Sequence, residues 1–288
     1  MIREAGNIQA FGARAQGEPT KVVGLTWVDE AQTIVALPAS DIREPKDLKG
    51  KRLALPSWLD HPIAAHQKAS SIARGMSLQG YRGALASAGL ALEDVKLIEV
   101  DGSYAARAQE VGSGTSQLAA LWSFHALLDD KVDAIYVKGA AAIEAARKFG
   151  LSSAIALDQL PDRRFRINNG TPRPITVHED LIENHYEIVV RFLVQTLKAS
   201  AWAAANLAEV RKILEAETRA SADAVRRAYT DEALQGLHPT LDDDRIELFE
   251  RQKNFLWVHG FLDHDFALAP WIDRRPLEDA QRRFQDEL

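Results

Sequence analysis

The chain has 288 residues, 46% apolar and 26% charged, with a net charge of −6 and no cysteine. That length suits two lobes of ordinary domain size. The acidic balance argues against a nucleic-acid partner, which would want a basic face. The missing cysteines exclude disulfides, thiolate nucleophiles and thiolate metal sites from the chain as written. The opening Met1-Ile-Arg-Glu-Ala-Gly-Asn7 has no charged-then-apolar leader. No stretch approaches the roughly 20 apolar residues of a membrane span, so no membrane insertion is expected. The expected location is cytoplasmic as written, or periplasmic if a signal peptide precedes Met1.

Residues 2–15 read as a short helix or loop ending near Gly17. Lys21–Trp27 and Thr33–Pro38 are β-branched runs bounded by turn residues and read as buried strands. Asp41-Ile-Arg-Glu-Pro-Lys-Asp-Leu-Lys-Gly-Lys-Arg-Leu-Ala-Leu-Pro56 reads as a linker, a one-turn helix and a third strand. Helical spacing follows from Pro62 to Gly89, with Gly75 and Gly80 suggesting a break. Asp94–Val100 is a fourth strand, Gln117–Leu128 a helix and Val132–Val137 a fifth strand. Ala140–Phe149 is a helix closed by Gly150, and Ala154–Leu157 a sixth strand. A polar loop over 161–170 leads to a return strand at Arg173–Val177. From Leu181 onward the pattern is almost all helix, with Ser221 and Asp242 as helix starts. Alternating strands and helices predict an α/β protein with mixed, mostly parallel sheets and a helical C-terminal region.

Two motifs carry a family resemblance: the Asp41–Pro56 block, and Lys131-Val-Asp-Ala-Ile-Tyr136 some eighty residues later. In this order they resemble the sulfonate/nitrate/taurine branch of the bilobal, type II periplasmic-binding-protein fold. The resemblance implies a lobe of about 46–172. A second lobe would combine 1–45 with 173–288, and a small organic anion would sit between the two. The match is nearest to a cytoplasmic desulfinase of that fold, which acts on 2-(2′-hydroxyphenyl)benzenesulfinate. Its sharpest points are Arg3-Glu-Ala-Gly6-Asn-Ile8, Asp47-Leu-Lys-Gly50 to Leu55, Val132–Tyr136 and Leu268-Ala-Pro-Trp271. An arginine and a glycine three residues on bind the sulfinate in that enzyme, and Arg3 and Gly6 have this spacing. The enzyme's cysteine nucleophile would lie upstream of Met1. The first strand-helix-strand of one lobe would lie there too, so Lys21–Trp27 is expected to present an unpaired sheet edge.

Two function classes follow. One is a transporter-type binding protein for a sulfonate- or sulfinate-like anion, aromatic or aliphatic, with an ABC permease as partner if exported. The other is a desulfinase-like hydrolase drawing its cysteine from an upstream segment. Arg3 is the candidate clamp, since guanidinium gives paired hydrogen bonds to an acid group; a solvated terminal arginine is the alternative. Ser57, Trp58 and His61 follow a strand and open a helix, where free N–H groups suit an anion. Helix capping by Ser57 or Asp60 is the plainer reading. Gly102, Ser103 and Tyr104, then Tyr136 and Lys138, stand at the equivalent edges of the next strands, where turn chemistry and solvated lysine are the alternatives. Arg163, Arg164 and Arg166 make a basic loop, able to close over an anion or simply exposed. His259 and His264 lack zinc spacing. No phosphate loop, nucleophile elbow or dinucleotide fingerprint occurs, so no cofactor is expected.

Overall fold

A computed structural model of the chain describes residues 1–58, 71–100 and 124–287. The strands are β1 (Ile2–Glu4), β2 (Thr20–Thr26), β3 (Gln32–Ala36), β4 (Arg52–Pro56), β5 (Lys96–Val100), β6 (Ala134–Lys138), β7 (Ser152–Ala156) and β8 (Arg173–His178). Between them lie α1 (Asn7–Ala15), α2 (Ile72–Ser87), α3 (Phe124–Leu128) and α4 (Ala140–Lys148). After β8 come α5 (Glu179–Asn184), α6 (Tyr186–Ala205), α7 (Leu207–Thr218), α8 (Ala222–Ala228), α9 (Asp231–Gln235), α10 (Asp243–Val258) and α11 (Arg275–Asp286). Ser221 and Asp242 cap α8 and α10 as read from the sequence, accepting from Ala224 N and Arg245 N. Gly150 ends α4 at φ +69°, a conformation that suits glycine.

The strands form two sheets, β1-β8-β2 and β5-β4-β6-β3-β7. Each backs its own apolar core, one around Ile34, Leu53 and Phe124, the other around Phe11, Val190, Phe249 and Trp271. The mixed α/β class stands, but parallel pairing is the minority. Among the described strands, β4–β5 and β4–β6 run parallel, while β3 runs against both β6 and β7 and β8 runs against β1 and β2. The reason is that β3 enters its sheet from the other half of the molecule and needs no crossover helix. The chain passes between the sheets twice, between β2 and β3 and between β7 and β8. β3, within residues 1–45, pairs in the five-stranded sheet.

The two signature motifs meet in the larger sheet. Asp133 accepts from the backbone N of Arg52 at 2.7 Å and from its guanidinium Nε and Nη2 at 3.1 and 2.7 Å. Burial opposes the Asp133 carboxylate, and these bonds outweigh it and hold its pKa below the usual range. The one-turn helix Pro45–Leu48 ahead of β4 is closed by Asp47, whose Oδ2 accepts from Arg43 N and Glu44 N.

Three expectations are corrected. The unpaired edge at Lys21–Trp27 is not there. One side of β2 pairs with β8; on the other, Leu25 exchanges hydrogen bonds with Thr240, and Asp273 N donates to Val22 O. The helical C-terminal region returns over this edge, and among the described residues of this sheet it is β1 that pairs on one side only. Second, α6 is long and apolar enough, by length and composition, to cross a membrane. Its Val189, Val190, Leu193 and Leu197 are buried in the smaller sheet's core. Third, α2 runs unbroken through Gly75 and Gly80. These glycines serve close packing: a Cβ at Gly75 would lie 2.8 Å from Ile8 Cδ1, and one at Gly80 2.2 Å from the Tyr136 ring. Gly80→Ala is therefore expected to lower stability by about 1–3 kcal/mol through overpacking, despite alanine's better helix propensity. Urea unfolding checks this, and a more stable variant would refute the packing argument.

Candidate functional site: the junction of α1 with the hinge

Helix α1 begins at Gly6, which caps it without a side chain. Its first N–H groups face the segment 168–172, on the return passage between the halves. Asn7 N donates to Asn169 O at 2.8 Å, and Ile8 N to Asn169 Oδ1 at 2.9 Å. A Cβ on Gly6 would lie 2.2–2.6 Å from the Asn169 carboxamide, so only glycine permits this approach.

Behind this contact runs a chain of buried amides. Asn7 Nδ2 donates to Asn168 O at 2.6 Å and Pro172 O at 2.8 Å, while its Oδ1 accepts from Gln252 Nε2 at 3.0 Å. Asn168 Nδ2 donates to Tyr136 Oη at 2.9 Å and Met76 O at 3.1 Å. Tyr136 Oη donates to Gln32 Oε1 at 2.9 Å, and Gln32 Nε2 to Arg166 O at 2.9 Å. Asn7, Gln32, Asn168 and Gln252 are each 0% exposed. Such a buried network rigidifies a junction only when its members are paired.

The charged groups nearby are spent on one another. Lys138 Nζ lies 2.5 Å from Glu30 Oε1, and Tyr229 Oη donates to Glu30 Oε2 at 3.0 Å. Burial pushes the Glu30 pKa up, but Lys138 and Tyr229 outweigh it and hold the carboxyl below its ordinary value. Arg166 Nη1 lies 3.2 Å from Asp29 Oδ2 and donates to Asp158 O. Asp29 is nonetheless pushed up, because its burial exceeds the effect of Arg166.

The expected site residues fall into three groups. Arg3 is exposed, and its guanidinium makes no hydrogen bond or ion pair among the described residues. It lines a cavity of about 300 Å³ with Ala5, Gln9, Thr176 and His178. Gly6 is not among the residues around that cavity and packs on Asn169. Trp58 lies 4.6 Å from the Phe261 ring, with the Arg74 guanidinium 4.7 Å over its face. Ser57 continues the β4–β5 pairing, its N and Oγ both donating to Val100 O.

Tyr136 and Lys138 are taken up inside the fold. Tyr136 is 1% exposed and its hydroxyl is taken up by Gln32 and Asn168, while Lys138 is buried against Glu30. Both follow from β6 lying inside the sheet, with β4 and β3 as neighbours. His61, Gly102, Ser103 and Tyr104 lie outside the described residues. Of the basic loop, Arg164 pairs with Asp162, Arg166 with Asp29, and Arg163 sits 5.3 Å over the Trp27 ring. Arg163 and Arg166 also line a larger cavity of about 590 Å³ with Trp27, Asp158 and Glu232. Sequence reading missed Asn7, Asn168, Asn169 and Gln252. The run Asn168-Asn169-Gly170 was the available signal, and it reads as an ordinary polar turn.

Residues 5–115 match the family model described as NMT1/THI5 like. Among solved structures, a cysteine-to-serine variant of the desulfurization enzyme DszB in complex with biphenyl-2-sulfinic acid is 23% identical. The alignment covers 98% of this chain and 85% of that one, with a TM-score of 0.73. The periplasmic sulfonate-binding protein SsuA from Methylobacillus flagellatus KT, a putative ABC-transporter component, is 16% identical. There the coverage is 99% and 75%, with a TM-score of 0.70. The periplasmic aliphatic sulphonate binding protein SsuA from Escherichia coli is 15% identical, with 94% and 79% covered and a TM-score of 0.63. The chain has the fold of the sulfonate-binding proteins. At these identities the likeness establishes that two-lobe, periplasmic-binding-protein-like architecture. No curated protein matches the sequence.

Proposed function

We propose that the chain binds a small organic anion, sulfonate- or sulfinate-like, between its lobes at the start of α1. The observation that carries this reading is the pairing of Asn7 N and Ile8 N with two oxygens of one residue, Asn169 O and Oδ1. Two adjacent helix N–H groups meeting two oxygens is the pattern an acid group would use, and the helix dipole favours a negative charge there. Arg3, with its guanidinium unpaired among the described residues, supplies the positive charge once it turns toward Gly6. Trp58 with Phe261 offers an aromatic wall, and Ser57, His61, Gly102, Ser103 and Tyr104 remain proposed contacts from the other lobe. Delivery to an ABC permease, and with it a periplasmic location, belongs to this proposal.

The test is calorimetric titration with aliphatic and aromatic sulfonates, sulfinates and carboxylates. Arg3→Ala is expected to weaken binding about 10- to 150-fold, as loss of a charge-assisted pair costs about 1.5–3 kcal/mol. Unchanged affinity would remove Arg3 from the site, and no binding by any anion would end the reading.

A hydrolase is the second reading, favoured by the likeness to DszB and by the aromatic wall. The chain contains no cysteine, so a thiolate route needs one from outside this sequence. Sulfite release from biphenyl-2-sulfinate separates the two: release supports the hydrolase, and binding without release supports the carrier.

A further inference from the structure

Two consecutive side chains of the return passage reach in opposite directions. Asn168 Nδ2 goes to the five-stranded half, donating to Met76 O on α2 and Tyr136 Oη on β6. Asn169 goes to the other half, its Oδ1 accepting from Ile8 N and its backbone O from Asn7 N on α1. The pair is joined to itself, since Asn169 N donates to Asn168 Oδ1 at 2.8 Å. The Asn7 carboxamide closes the circuit by donating to Asn168 O at 2.6 Å.

These bonds cross the line along which two-lobe proteins open. Asn7 and Asn168 are 0% exposed, so separating α1 from α2 would strip them of partners before water could replace them. Other contacts bridge the halves too. Ser221 Oγ donates to Glu144 Oε2 at 2.5 Å, Arg227 reaches Asp158 at 3.0 Å, and Tyr229 reaches Glu30 at 3.0 Å. Those contacts tie α8 and the residue after it to α4 and the hinge. Between α1 and α2 the apolar packing is Ile8 on Gly75, with Leu78, Ile72 and Met76 of α2 in the core that holds Ile8 and Phe11, and among the described residues the polar bridge is the Asn168–Asn169 pair.

We propose that Asn168 and Asn169 form an internal latch that holds the α1 and α2 faces together without help from a ligand. A ligand that closes a two-lobe protein must bind the closed form better than the open one. Here the chain's own carboxamides supply part of that preference, so closure precedes binding. If the anion reading above holds, and this clause rests on it, the anion displaces the Asn169 oxygen from Ile8 N.

Small-angle scattering in anion-free buffer tests the latch directly. Wild type is expected to show the compact radius of gyration, about 19 Å for a chain of this length. Asn169→Gly removes the Oδ1 bond to Ile8 N at a half-buried position and keeps the backbone bond from Asn7 N, and Asn168→Ala removes the bonds to Met76 O and Tyr136 Oη. Each is expected to shift the closed-to-open ratio about tenfold toward open and raise the radius. Asn169→Gly, which touches no core packing, covers the case where Asn168→Ala does not fold. A variant radius equal to that of wild type overturns the latch, as does a wild type already open. Titration of the same samples with biphenyl-2-sulfinate addresses the anion reading separately. If Asn169→Gly opens and no anion binds, the latch stands and that reading fails.

Discussion

Lys138→Met is expected to cost about 3–5 kcal/mol of unfolding free energy at pH 7, because it leaves the Glu30 carboxylate buried without its cation. Lys138 is 6% exposed on its side chain and Glu30 21%, so solvent does not screen the loss. The pH dependence has a defined sign. With Lys138 present the folded pKa of Glu30 lies below its ordinary value of 4.5, so the pair contributes its full stability above that pH. The contribution fades as pH falls through the lower, folded value. Without Lys138, burial raises the pKa instead, and protonation on acidification relieves the variant. The difference between the two proteins should therefore be largest at neutral pH and shrink toward pH 4. Urea unfolding at pH 7 and pH 4 measures it, and a gap that stays constant with pH would discount the ion pair. Glu30→Gln added to Lys138→Met should recover much of the loss, since it removes the stranded charge.

Asn7→Ala should be nearly as damaging, at about 3–5 kcal/mol. The truncation strands Asn168 O, Pro172 O and Gln252 Nε2 in a site without water access, and each orphaned group costs about 1–3 kcal/mol. The melting temperature should fall by roughly 10 °C. Asn7→Asp keeps the shape but cannot donate to the two carbonyls, so it should fall almost as far. If the aspartate variant matches wild type in a thermal melt, the carboxamide donors do not hold the junction. Both variants bear on function as well, because Asn7 N is one of the two N–H groups offered to an anion.

The larger part of the architecture was legible in the chain. Apolar runs at Lys21–Trp27, Lys51–Pro56 and Val132–Val137 became β2, β4 and β6 within a residue or two, since short β-rich runs of this kind suit buried strands. The capping residues were equally plain, because a cap acts through its own local hydrogen bond. The site was less legible. Tyr136 and Lys138 stand at a strand end where a ligand contact is reasonable, and only the pairing of β6 between β4 and β3 shows that both are buried. Gly75 and Gly80 looked like a break until Ile8 and the Tyr136 ring were seen against them.

By itself, then, the sequence determined what local forces decide: which segments are strands or helices, where helices start, and that no thiolate chemistry is available within it. It also carried the motif pair that led to the binding-protein fold, joined in space by Arg52 and Asp133. The tertiary structure alone decided which strands pair, which edge of β2 is covered, and where a polar residue spends its hydrogen bonds. Asn7, Asn168 and Gln252 are far apart in the chain, and each reads as an ordinary polar amide in its own stretch of sequence. A buried network forms when the fold removes water from all of them at once, and that cost and its repayment exist only between segments.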